Sequence, residues 1–90
     1  MKRAKGEAAI ILTVARNVRA RRKVVGLSQE ELAHEAEVDR TYVSQVERGK
    51  RNMTIWVLAR LAAALKTTPD VLLIPAAVPV DKGKSRKKAV

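Results

Sequence analysis

Arg40, Thr41, Ser44 and Gln45 set the chemical question. They lie within EVDRTYVSQVERGKRN, residues 37–52, where acids open the stretch and bases close it. Their side chains donate and accept hydrogen bonds in planar or compact geometry. A face made for solubility alone would carry Lys and Glu. The only apolar anchors among them are Val43 and Val46, three residues apart, as one face of a short helix requires. The polar four therefore fall on the open side of a helix too short to stand alone. That is the chemistry of reading another surface by hydrogen bonds.

Catalytic chemistry has little to build on. His34 is the single histidine, and beside Glu35 it reads as a surface residue. There is no glycine-rich phosphate loop and no nucleophile arrangement. Without cysteines there is neither a disulfide framework nor a thiolate zinc site. We expect no enzyme activity, no metal, no cofactor and no small-molecule ligand. The absence of cysteine fits a reducing cytoplasm, the expected location.

The charge balance points to a polyanion. Nineteen Lys and Arg face nine Asp and Glu, a formal net charge of +10, which favours nucleic acid first and an anionic membrane second. The bases fill both ends: Lys2, Arg3, Lys5, Arg16, Arg19, Arg21, Arg22 and Lys23, then Lys82, Lys84, Arg86, Lys87 and Lys88. The acids cluster at Glu30, Glu31, Glu35, Glu37 and Asp39. The run AAIILTVA is far shorter than the ~20 apolar residues of a membrane span, and VLLIPAAVPV is broken by Pro75 and Pro79. The N-terminus is rich in Arg and poor in acids, like a transit peptide, yet its apolar pattern runs on into a capped second helix. No membrane association is expected.

The elements that must position the four polar residues follow from local patterns. Residues 1–8 are expected to be a flexible N-terminus. Ile11, Val14, Ala15, Val18, Arg22 and Val25 recur at the spacing of a first helix with one buried face. Arg22 interrupts that stripe, either as a snorkelling stem or as a buried charge in need of a partner. Gly26 can take positive φ and end the helix. Ser28 and Glu31 form a capping box, Leu32 and Ala36 give helix 2 its buried side, and small Ala33 permits a close crossing. Asp39 is expected to cap helix 3 through its side chain, with Gly49 closing it. Thr54 caps helix 4, whose inner face is expected to be Ile55, Leu58, Leu61, Ala62 and Leu65. Thr68-Pro69-Asp70 opens a short fifth helix with proline in its first turn. One domain is expected over 9–75, followed by a disordered basic tail at 76–90.

Two short helices, 28–36 and 39–48, joined by a turn at Glu37 and Val38, have helix-turn-helix spacing. On GLSQEELA, DRTYVSQVERGKRN and LAAALKTTPDVLL the sequence resembles the phage-repressor-like (Cro-like, Xre) helix-turn-helix regulators, over about residues 26–74 with a helix-1 match before them. DRTY followed by ERGKRN and a threonine looks most like the small controller proteins of restriction-modification systems. The resemblance implies an all-α, five-helix lambda-repressor-like DNA-binding domain and sequence-specific transcriptional regulation. The turn position often held by glycine in that family is Glu37 here, which implies an altered turn or some strain.

Residue types agree with the role this implies for residues 39–48. A recognition helix enters the major groove with its N-terminal residues at base edges. Arg40 can hold guanine bidentately, Gln45 can pair with adenine, Thr41 can offer its methyl to thymine, and Ser44 can bond either way. Gln29, in the first turn of helix 2, matches a family position that touches backbone phosphate. Arg48, Lys50, Arg51 and Asn52 follow the recognition helix and are expected at phosphates. Tyr42 either packs beneath helix 2 or reaches the sugar-phosphate strand or a base step; we group it with the backbone contacts. The resemblance also joins Arg22 to Glu47 as a buried structural pair.

Trp56 and Val57 stand beside the inner face of helix 4 in a chain that is 2% aromatic. They read either as a covered core edge or, with Val71, Leu73 and Ile74, as a homodimer interface. A two-fold dimer sets its recognition helices ~34 Å apart on double-stranded DNA, as a near-palindromic operator requires. Two other functions fit the sequence: an antitoxin that binds a toxin protein and autoregulates, and a nonspecific nucleic-acid binder driven by charge.

Overall fold

A computed structural model of the chain describes residues 5–75, and the expected tail at 76–90 lies outside them. Among the described residues there are five helices and no strand: α1 Lys5–Val25, α2 Gln29–Ala36, α3 Arg40–Glu47, α4 Ile55–Ala64 and α5 Pro69–Leu72. Helix α1 starts at Lys5, ahead of the boundary expected at residue 9. The Ala, Glu and Ile around that boundary carry no stop signal, and Ala and Glu favour helix, so the helix continues past the point where burial begins.

Each junction has a local cause. Ser28 Oγ accepts the Glu31 amide, and the Glu31 carboxylate accepts the Ser28 amide in return, which completes the capping box. Gly26 has φ +88° and Gly49 φ +70°, the left-handed region that closes a helix without steric penalty only for glycine. A Cβ at Gly49 would also stand 2.9 Å from Leu12 Cδ2 on α1. Thr54 Oγ1 accepts the Val57 amide and opens α4. Pro69 occupies the first turn of α5.

Asp39 departs from expectation. It occupies the N-cap of α3 with extended backbone, but its side chain makes no capping bond. Its carbonyl instead accepts the Tyr42 and Val43 amides, and its exposed carboxylate is left to solvent.

Val18, Leu32, Val43, Val46, Leu61, Leu65 and Leu72 are the largest fully buried side chains, drawn from all five helices. Burying a Val or Leu fully contributes roughly 1.5–3 kcal/mol. Helix α2 packs on α3 and α4, and α1 packs on α3 and α5. Ala33 and Ala36 are buried on α2, so its backbone approaches its neighbours closely. Ile55 corrects a second expectation: it is 82% exposed. It is the first residue of α4, one turn ahead of Leu58, where the core ends; Ala64 is buried on that helix instead.

Two polar residues of α1 hold the C-terminal half. Buried Asn17 donates from Nδ2 to the carbonyls of Leu72, at 2.9 Å, and Ile74, at 2.8 Å. Arg21 donates from Nε to Leu65 O and from Nη2 to Lys66 O, which satisfies carbonyls left unpaired where α4 ends.

Glu37 has φ 60° and ψ 44°, and Lys66 has φ 61°. A side chain in this region costs about 1–2 kcal/mol. Glu37→Gly is therefore expected to raise stability by about 1 kcal/mol, after the extra freedom glycine brings to the unfolded chain. A denaturation midpoint that stays put or falls would show that the turn carries no such strain.

Candidate nucleic-acid interface

The turn at Glu37 aims α3. Helix α2 ends when the Glu37 amide bonds His34 O and the Val38 amide bonds Ala33 O, and the left-handed residue reverses the chain at once. Arg60 of α4 reaches back to this turn, with Nη1 3.4 Å from Glu37 O. Val43 and Val46 are then driven into the core, which fixes the rotation of α3 about its axis.

That rotation decides what the solvent side carries. Arg40 and Thr41 are exposed, Ser44 and Gln45 half-exposed, and Arg48 exposed just past the helix end. Thr41, Ser44, Gln45 and Arg48 fall on one side at i, i+3, i+4 and i+7, with Arg40 flanking them in the first turn. The four base-reading candidates are thus brought to one accessible face. Lys50, Arg51 and Asn52 follow in the exposed loop, whose start is pinned by Lys50 N–H on Gln45 O at 2.9 Å.

Tyr42 sits on the flank of α3, half-buried against the core. The Arg51 guanidinium lies 4.4 Å from its ring centroid. Such stacking contributes roughly 0.5–1 kcal/mol at an exposed site and holds Arg51 next to the face.

The far end of α3 is anchored by Glu47. Its Oε2 accepts Arg22 Nε at 2.6 Å, and its Oε1 accepts Arg22 Nη2 and Gln29 Nε2, each at 3.0 Å. Arg22 Nη1 donates to Leu27 O. The Glu47 side chain is 3% exposed and that of Arg22 13%. Hydrogen bonding to Glu47 raises the Arg22 pKa above its ordinary value against the opposing effect of burial. Gln29 is thereby held with its amide toward α3 and one N–H remaining, at the amide-rich start of α2 where an anion is favoured.

Ile55, Trp56, Leu73 and Ile74 are exposed, whereas Val57 and Val71 are half-buried, Val57 packing on the core. Arg60 lies 5.6 Å from the Trp56 ring centroid. Among the described residues no group of acids and histidines could hold a metal, and no helix is long and apolar enough to cross a membrane.

Sequence reasoning missed Asn17, Arg21 and the Arg51–Tyr42 stack. An Asn or Arg inside a helix carries no local mark of the distant carbonyl or ring it will meet.

The sequence model of a helix-turn-helix family matches residues 18–72. The control protein C.SmaI of Serratia marcescens is 47% identical over 60 residues, which cover 67% of this chain and 71% of that protein. Among solved structures, the restriction-modification controller protein C.AhdI from Aeromonas hydrophila is similar at a TM-score of 0.68 and 41% identity, over 71% of this chain and 97% of its own. The hypothetical transcription factor NHTF from Neisseria is similar at 0.73 and 39% identity, over 83% and 86%.

Proposed function

This chain belongs to the helix-turn-helix family of DNA-binding transcriptional regulators, and on that premise we propose that it is the controller of a restriction-modification system, acting in the cytoplasm as a homodimer on a near-palindromic operator. The observation that carries the reading is the outward face of α3. It gathers Arg40, Thr41, Ser44 and Gln45 on a short helix fixed in rotation by Val43 and Val46. Similarity to C.SmaI and C.AhdI supports the controller assignment.

In this reading α3 lies in the major groove. Arg40 donates to guanine O6 and N7, Gln45 pairs with adenine, and Thr41 and Ser44 complete the base contacts. Gln29, Arg48, Lys50, Arg51 and Asn52 take phosphates and set the register. Tyr42 supports Arg51 from below and faces the sugar-phosphate strand at its edge. The exposed apolar side chains Trp56, Leu73 and Ile74, with Val57 and Val71, join two copies so that two α3 helices stand ~34 Å apart.

Arg40→Ala tests the base-reading role. On the duplex that the protein selects from a randomised pool, the substitution should weaken binding by ~1–3 kcal/mol and relax preference at one position of each half-site. Equal weakening on selected and random duplexes would remove Arg40 from the reading set.

A further inference from the structure

Between Glu7 and Glu30 the chain has no acid, yet it carries Arg16, Arg19, Arg21, Arg22 and Lys23. Two of these bases are used inside the fold: Arg21 on the carbonyls that end α4, and Arg22 on Glu47. Arg16, Arg19 and Lys23 remain. They stand at i, i+3 and i+7 on α1, all exposed. Among the described residues none is paired with a carboxylate. A helix face made for solubility interleaves acids at i+4, and this one does not.

The position of the row is fixed by Leu12. Leu12, Arg16, Arg19 and Lys23 follow one another at helical spacings of four, three and four on the same side of α1. Leu12 lies against Gly49, within the loop that carries Arg48, Lys50 and Arg51. The last turn of α1 is tied through Arg22 to Glu47 and so to Gln29. The row therefore continues the cationic surface that flanks α3.

We propose that Arg16, Arg19 and Lys23 form a second phosphate-binding surface, which takes the DNA backbone just outside the operator half-site. The proposal rests on the DNA-binding reading above. The row spans about 10 Å of helix axis, the length of roughly three base pairs. Long flexible side chains on such a row can each meet one phosphate, and they add affinity without adding sequence preference.

The test combines Arg16→Gln, Arg19→Gln and Lys23→Gln. Binding is titrated across an ionic-strength series on two duplexes: the selected operator trimmed to its half-sites, and the same operator extended by about one helical turn, ~10 base pairs, on each side. On the extended duplex the slope of log K against log salt should become shallower by about 2–3 per protomer. On the trimmed duplex variant and wild type should coincide, and the ratio of operator to random affinity should hold. A variant with Arg16→Lys and Arg19→Lys should keep the wild-type slope. Should the triple variant lose helicity by circular dichroism, Arg19→Gln alone is measured for about one third of the change. Identical slopes on the extended duplex, or the same shift on both duplexes, overturn the proposal while leaving the regulator reading intact. Wild-type protein that selects no operator overturns that reading instead.

Discussion

Glu47→Leu is expected to destabilise the fold by about 3 kcal/mol, because it leaves the Arg22 guanidinium largely buried without its counter-charge. Three donors lose their acceptors at once: Arg22 Nε, Arg22 Nη2 and Gln29 Nε2. Gln29 is half-exposed and can turn to water, so Arg22 carries most of the loss. In a domain of this size such a change lowers the melting temperature by roughly 10–20 °C. The double variant Arg22→Met with Glu47→Leu should recover most of the loss, since well-packed apolar replacements of a buried pair are often neutral or stabilising. Thermal denaturation of both proteins decides the point. A Glu47→Leu variant that melts with wild type, or a double variant no better than the single, would show that the pair is a surface contact of small effect.

Trp56→Lys is expected to give the largest loss of operator binding. Trp56 is 69% exposed on α4, and Ile74 50% exposed beyond α5. A lysine there would place charge in the proposed two-fold contact. Sedimentation should show wild type as a dimer at micromolar concentration and the variant shifted toward monomer. Because a second linked site raises avidity about 10²–10⁴-fold, affinity for the full operator should fall by that order. Affinity for an isolated half-site should hardly move, since α3 is untouched. Wild-type protein that sediments as a monomer even when concentrated would remove the interface from the account.

The junctions were legible because each is written in adjacent residues. Ser28 with Glu31, Gly26, Gly49, Thr54 and Pro69 act within one turn, and all five act in the structure as expected. The outward face of α3 was legible for a related reason. Two valines three residues apart fix which side is buried, and the polar side follows. Misread or missed features needed information from elsewhere in the fold. Ile55 has the correct period for burial, but the core stops one turn short of it. Asp39 has the correct type and place for a cap, but its side chain makes no capping bond, and the Tyr42 amide goes to its carbonyl. Asn17 and Arg21 carry no local sign of their roles, since their partners lie 44–57 positions away. The two readings of Arg22 were decided by Glu47, at a separation of 25 residues.

Asn17 also sets an order of events during synthesis. It is made early, and the carbonyls it holds belong to Leu72 and Ile74, 55 and 57 positions later. At about 5–20 residues per second of elongation, that interval lasts roughly 3–11 s. Until then α1 has nothing to clasp at its C-terminal neighbour, and the turn carrying Leu73 and Ile74 is not seated. The edge that we assign to pairing is thus the last part of the domain to take shape, so that association through it waits until Asn17 has seated the Leu73 and Ile74 turn.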